Sequence, residues 1–441
     1  MLTQEQEDII KTDAKYSLVI AGAGCGKTYT IIKRVEYLIK MGVDPNKILI
    51  ISFTNNTVND LLKKINNVYI MTFHKLAISI LKQDIKQIVT DYDLNYYVKE
   101  FFKYNLTKKL KKYLNYYLDY DAGNLDQFYK RIISLINIYK ANDGSTIKLI
   151  SIYIKLYLNK KERYFLVLFY AFLSFYKYEL KSYGGFDFND LIIAAGKSRN
   201  KLLFDYVIVD EFQDTSLIRL KLLNKIVKDN DASLMCVGDD YQSIYQFSGS
   251  NLNIFVNFKD FYPQLKTYYL TKTFRNSQEL VKVMGLFVMK NPLQLSKKMI
   301  SNKSLIKPIK IIYYRDLFKT INRLLLKYPD VMILGRNKKD NIGFSNFFTV
   351  HASKGLEREN VIIINNRNDY LGFPNQIIND KISTNLINFK EIKYAEERRL
   401  FYVALTRTKN YVFLLVRHDE ESIFIKELIK DYYQDIEIME E

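Results

Sequence analysis

Six short apolar runs, each closing on glycine, asparagine or acids, constrain this chain more than any other feature: "YSLVIAGAG", "KILIISFTN", "DYVIVDEFQD", "SLMCVGDD", "VMILGRN" and "NVIIINN". Each is strand-length, rich in Val and Ile, and free of the polar alternation of a half-exposed strand. That texture fits strands buried on both faces, as in parallel sheets covered by helices on either side. Longer amphipathic stretches separate the runs, so the fold class is α/β. The runs form two sets, one over residues 1–80 and 185–270 and the other over 271–441, and the length of 441 residues suits about three domains.

Between "MTFHKLAISIL" and "GGFDFNDLI" the texture changes to Tyr, Phe and Lys at helical spacing with almost no strand signal, which predicts a helical insertion over 81–184. From Phe101 to Tyr183 fifteen Lys and Arg face six Asp and Glu, half of the chain's formal net charge of +18. Positive charge without a hydrophobic anchor points to a polyanion, nucleic acid before membrane, and offers a backbone-binding face on the insertion. The longest apolar run, "YFLVLFYAFLSFY" from Tyr164 to Tyr176, falls well short of the ~20 residues a membrane helix needs and reads as a core helix. "MLTQEQEDII" carries acids where a signal peptide carries a basic region. Cys25 and Cys236, with His74, His351 and His418, stand too far apart to build a zinc cluster. A soluble protein in a reduced intracellular setting is expected. The tail "KDYYQDIEIMEE" turns acidic and reads as a frayed end.

Three motifs carry chemistry. "VIAGAGCGKT" is a strand, a Gly-rich loop, Lys27 and Thr28, followed by the helical pattern "YTIIKRVEYLI". Loop amides from Ala21, Gly22, Ala23, Gly24, Cys25 and Gly26 and the helix N-terminus suit phosphates, Lys27 suits the β and γ groups, and the Thr28 hydroxyl suits Mg²⁺. Ala21 stands where the strict pattern has its first Gly. "DYVIVDEFQD" places Asp210 at a strand's C-terminal end, where ligands bind in open α/β sheets; it suits Mg²⁺, and Glu211 beside it suits activation of a water. "VGDDYQSIYQFSGS" sets Gln242, suited to a phosphate, a few residues from Tyr245 and Phe247, suited to a flat ring. Phosphoryl transfer also needs positive charge on the γ-phosphate, and Arg275 in "TKTFRNSQEL" and Arg407 in "FYVALTRTKN" are the candidates.

Read in order, "AGAGCGKT", "SFTNNTVNDL", "MTFHKLA", "DFNDLI", "VDEFQDTS", "VGDDYQSIYQFSG", "KTFRNS", "VHASKGLERENV" and "EERRLFYVALTRTKN" resemble the UvrD/Rep family of superfamily 1 helicases, across all of the chain except the insertion's interior. The resemblance implies two RecA-like P-loop NTPase domains, ATP and Mg²⁺, and 3′ to 5′ movement on single-stranded DNA. It implies that Gln6 reads the adenine edge, that Phe274 stacks on adenine with Tyr29 opposite, and that Glu357 contacts the ribose. Gln242, Arg275 and Arg407 match the γ-phosphate sensors. Phe53, Asn55, Thr72, His74, Thr349 and His351 match strand-contacting positions, and Tyr245 and Phe247 match the aromatics between which bases stack, an interaction that tolerates any base.

Two departures stand out. Family members usually carry a large second insertion ahead of "TVHASKGLE", whereas the stretch from Asn337 to Phe347 is too short to hold a domain, so that accessory module is expected to be missing. Ser248 replaces the Arg that commonly follows the stacking aromatic. The implied function is an ATP-dependent 3′ to 5′ DNA helicase acting on single strands and duplex junctions as a monomer, in repair, recombination or replication. A single-strand translocase that strips proteins from DNA with little unwinding shares every catalytic residue, and an RNA track is compatible with stacking and phosphate contacts.

Overall fold

The computed structural model describes residues 2–82, 87–120, 124–376 and 381–441. Its strands form two six-stranded sheets. In the first, β1 (Tyr16–Ala21), β2 (Ile48–Ser52), β3 (Tyr69–Thr72), β4 (Tyr206–Val209), β5 (Ser233–Gly238) and β6 (Lys266–Leu270) lie in the order β3-β2-β4-β5-β1-β6. In the second, β7 (Ile309–Tyr313), β8 (Val331–Gly335), β9 (Phe347–Thr349), β10 (Asn360–Ile363), β11 (Val412–Val416) and β12 (Ile436–Glu440) lie in the order β9-β8-β10-β11-β7-β12. Every pairing is parallel, and the two orders are the same permutation, so the chain builds one doubly wound RecA-like architecture twice.

All six apolar runs became strands. Alternate residues feed opposite cores: Leu18 and Ile20 pack on one face of the first sheet, Val19 and Ala21 on the other. Helices α1 (Gln4–Ile10), α2 (Lys27–Lys40), α3 (Asn55–Leu62) and α4 (Phe73–Leu81) belong to this domain. The chain then leaves for the insertion, α5 (Asp91–Tyr104), α6 (Lys108–Tyr120), α7 (Leu125–Ala141), α8 (Thr146–Lys155) and α9 (Lys160–Tyr183). Gln87–Val89 pairs with Gly185–Asp187, so the insertion exits beside its entry. Its core is aromatic: Phe101, Phe102, Phe128, Phe165, Phe169, Phe172 and Tyr176 are buried together, and the expected core helix is α9. Lys140, 5% exposed, pairs with Asp187 and Asp190 and fixes the insertion to α10 (Phe188–Lys197). Helices α11 (Leu217–Asn230) and α12 (Leu252–Val256) complete the first domain; α13 (Gln278–Val288), α14 (Leu317–Lys327), α15 (Lys381–Ile387), α16 (Ala395–Leu405) and α17 (Ile423–Tyr432) follow.

Packing redraws two expectations. The segment 271–441 is not wholly a second domain: Leu293 and Leu295 after α13, and Ile382, Leu386, Ile387 and Phe389 on and after α15, join the core of the first domain and its insertion. The tail is not frayed. Ile436 is buried and β12 pairs with β7, while the acids that made the tail look loose face outward to partners, Glu437 to Lys310, Glu440 to His418 and Glu441 to Arg323. Between β8 and β9, residues 336–346 form a loop with one short helical turn, Lys338–Asp340. Among the described residues no helix is long and apolar enough to cross a membrane.

Candidate functional site

Strand β1 delivers its last residue, the fully buried Ala21, to the loop Gly22–Gly26. Gly24 and Gly26 take left-handed backbone angles, φ +72° and +76°, which L side chains adopt at a cost. Gly26 caps α2 without a side-chain bond, and the N–H groups of Cys25, Gly26, Lys27 and Thr28 meet no acceptor among the described residues. A ring of free amides at a helix N-terminus is an anion cradle. Cross-strand contacts hold it: Phe274 N–H donates to Gly24 O at 2.9 Å and the Thr273 hydroxyl to Ala23 O at 2.8 Å. Gln6 is buried in a capping box with Thr3 through its Oε1, leaving Nε2 directed at Gly26. Tyr29 and Phe274 stay open at the rim, 47% and 59% exposed, and no ring contact joins them.

Asp210, 1% exposed, directly follows β4, and Glu211 comes next in a left-handed turn at φ +52°. Burial and then the Glu211 charge push the Asp210 carboxyl up, against the pull of Lys27 and Lys354. Burial opposes charge on Glu211 as well, but Lys27, Lys354, Gln213 and Arg407 overcome it and hold Glu211 ionised. Gln213 Nε2 donates to Glu211 at 2.5 Å. The carboxylates and the Thr28 hydroxyl are the hard oxygen donors that Mg²⁺ prefers.

The second domain closes the site. Gln242 Nε2 donates to Asp239 at 2.6 Å, and its Oε1 accepts from Arg407 Nη2 at 3.4 Å. Arg407 is 2% exposed and makes no ion pair among the described residues; burial and then the neighbouring Arg275 press its pKa down to about 9. A buried guanidinium beside another guanidinium is unfavourable unless an anion joins them. Arg275 is held meanwhile by Glu357 at 2.7 Å and by Thr406 O at 3.2 Å. Glu357 is therefore the ion-pair partner of Arg275 here, a placement the motif did not foretell. Lys354, inside "VHASKGLERENV", joins the site although its motif gave it no role. Lys354 reaches across the cleft to Asp214, to Glu211 at 3.5 Å and to Gln242 O at 3.0 Å.

The strand-contact candidates form two groups. Phe53 meets Phe73 edge-on at 6.2 Å under the Arg219 guanidinium, 4.5 Å above its ring, and His74 meets Phe188 at 5.1 Å. Asn55 opens α3 in solvent, and the Thr72 hydroxyl caps α4 by accepting from Lys75 N–H at 3.3 Å. The other group straddles the domains: Tyr245, Phe247 and His351 lie 5.6–6.2 Å apart, with Phe247 50% exposed. Thr349 accepts from Ala352 N–H in the turn that carries His351. Burial holds the pKa of His74 and of His351 down to about 4, aided by Arg219 and Arg336 respectively, so both rings are neutral near pH 7. No ring contact joins the two groups among the described residues. Ser248 donates its hydroxyl to Tyr245 O at 2.8 Å and so shapes the turn between the stackers.

A Gly-rich anion cradle, adjacent buried carboxylates and arginines brought from a second RecA-like domain define a two-domain P-loop nucleotide hydrolase of the helicase type. The sequence profile of the UvrD/REP helicase N-terminal domain matches residues 2–263, and the chain belongs to that family. A second profile, the viral superfamily 1 RNA helicase core domain, matches residues 194–415. The chain is 26% identical to DNA helicase IV of Escherichia coli, over 94% of this chain and 68% of that protein. It is 27% identical to a probable DNA helicase of Mycoplasma pneumoniae, over 98% of this chain and 88% of that protein. It is also 27% identical to ATP-dependent DNA helicase Rep of Buchnera aphidicola, over 68% of this chain but 45% of that protein.

Proposed function

We infer that this protein is an ATP-dependent DNA helicase that moves 3′ to 5′ along single-stranded DNA and unwinds duplex at junctions. The observation that carries the reading is Arg407, a buried guanidinium without an ion-pair partner among the described residues, which the second domain presents to Gln242 and Glu211 of the first. The amides of residues 22–28 and Lys27 bind the phosphates, Thr28 and Asp210 hold Mg²⁺, and Mg²⁺ neutralises charge on the phosphates when bound. Glu211, kept ionised, accepts a proton from the attacking water. Gln242 orients that water through Oε1, because its Nε2 is committed to Asp239. Arg275 and Arg407 stabilise the departing γ-phosphate, Gln6, Tyr29 and Phe274 take the base, and Glu357 takes the ribose once it releases Arg275. Closure on nucleotide moves Thr349 and His351 relative to Phe53, Asn55, Thr72 and His74, while Tyr245 and Phe247, attached to Gln242 by two short turns, regrip the strand.

A second reading, a translocase that strips bound proteins and unwinds poorly, is favoured by the loop 336–346, which offers no accessory domain to engage duplex. ATPase measured with single-stranded DNA, duplex DNA and RNA, and strand displacement on 3′-tailed, 5′-tailed and blunt duplexes, test both readings. DNA-stimulated ATPase with unwinding from 3′ tails supports the helicase; ATPase without any unwinding supports the translocase. Preference for RNA overturns the DNA assignment, and a Lys27→Ala variant as active as the parent overturns the site.

A further inference from the structure

The strap that returns from α13 to the short strand Ile300–Ser301 carries a lysine with none of its side chain exposed. Lys297 Nζ donates to Asp239 Oδ1 at 2.5 Å, to Asp240 Oδ1 at 2.6 Å and to Ala21 O at 3.2 Å, and stands 3.6 Å from the centre of the Tyr241 ring. No motif singled it out, and it lies outside the groups that face nucleotide or DNA.

Each of the three acceptors leads to a different part of the site. Ala21 is the last residue before the phosphate loop. Asp240 uses its other oxygen to accept from Gln294 Nε2 at 2.7 Å and from Leu295 N–H at 2.8 Å, and Gln294 in turn accepts from Arg399 on α16, the helix that ends two residues before Arg407. Asp239 accepts from Gln242 Nε2 through Oδ2, so the ammonium and the Gln242 amide share one carboxylate. A buried cation with two buried acids is a poor device for stability alone, since apolar groups of similar volume commonly serve as well or better. What the trio supplies is direction: Asp239, anchored through Oδ1 by Lys297, accepts from Nε2 through Oδ2 and thereby fixes which end of the Gln242 amide faces Arg407.

We propose that Lys297 is a positioning residue for hydrolysis, acting through Asp239 to hold the Gln242 amide with Oε1 toward the reacting water and Arg407. This rests on the hydrolase reading above. Without Lys297, Asp239 loses the ammonium that anchors its Oδ1, and the Gln242 amide is free to turn its donor end into the cleft. Misplacing one group by about 1 Å costs roughly 10²-fold in rate.

The test uses the full chain with saturating single-stranded DNA, and compares Lys297→Met, Asp239→Asn, Gln242→Ala and the Lys297→Met/Gln242→Ala double variant. The expected result is a kcat loss of roughly 10²-fold in each single variant, with ADP affinity within about twofold of the parent, and a double variant no slower than Gln242→Ala. A strut without a positioning role lowers the melting temperature but leaves kcat and its coupling to Gln242 unmoved. Should Lys297→Met fail to fold, Asp239→Asn reads the same prediction, because it leaves Lys297 and Asp240 as a neutral pair and sets an amide donor against either Gln242 Nε2 or Lys297 Nζ. Single variants with kcat within about threefold of the parent, or losses that multiply in the double variant, overturn the inference while the parent's activity upholds the hydrolase reading. A parent that hydrolyses no ATP overturns that reading and this inference with it.

Discussion

Two glycine-to-alanine changes should act with opposite sign. At Gly24 a methyl group would lie 2.6 Å from Arg275 Cβ and 2.7 Å from Thr273 Oγ1, on a backbone at φ +72°. Carbon contacts settle near 3.5–4.0 Å, so the segment Thr273–Arg275 must retreat by about 1 Å or the loop must distort. The left-handed angle costs an alanine about 1–2 kcal/mol and the overpacking about 1–3 kcal/mol, together about 2–5 kcal/mol. The retreat carries Arg275 and Phe274 away from the phosphate loop and strains the Phe274 N–H bond to Gly24 O, so kcat should fall by roughly 10²-fold. At Gly285, inside α13, an added methyl meets nothing within 4 Å. There the change should stabilise by about 0.5–1 kcal/mol and leave hydrolysis untouched. Denaturant melts and steady-state ATPase on both variants decide the matter. A Gly24→Ala protein with kcat within about twofold of the parent would refute the assignment of this loop as the phosphate cradle pinned by Arg275.

Phe247→Ala should weaken single-stranded DNA binding by ~1–3 kcal/mol, roughly 5- to 150-fold, without changing the DNA-free ATPase; unchanged affinity by fluorescence anisotropy contradicts the stacking role. Glu396 accepts from Gln246 N–H, and burial, opposed by Arg399, pushes its carboxyl up to about 7. Its folded pKa lies above the unfolded value of 4.5, so the native state pays for ionising it as pH rises through about 5 to 7. Glu396→Gln should therefore melt higher than the parent at pH 8 and together with it at pH 4.5, and a gap that widens toward acid would reverse the sign. Lys108, Lys109, Lys111 and Lys112 stand exposed on α6. Converting all four to Glu should flatten the salt dependence of DNA binding by about 0.7 per lost phosphate contact, and an unaltered slope removes the insertion from the DNA path.

The phosphate loop and the Asp210–Glu211 pair could be read from the chain because their chemistry is local: strand, glycines, lysine and helix follow one another, and the acids end a flat apolar run. Six buried strands were legible for the same reason, since two-sided burial leaves no polar alternation, although the internal strands β7 and β11 were not among the runs picked out. Edge strands escaped. "KTYYL" of β6 and "IEIME" of β12 carry polar residues toward solvent, and in β12 those acids passed for a loose tail. Four strand-contact positions belong to two local pairs, Phe53 beside Asn55 and Thr72 beside His74, but the meeting of Phe247 with His351 spans the two domains and needed their closure. Only the tertiary structure set Arg407 against Gln242, Lys354 against Asp214 and Lys297 against Asp239, because each pair joins residues more than fifty positions apart. Their partners are chosen by how the second sheet packs on the first, and a lysine in sequence looks the same whether it faces water or two buried acids.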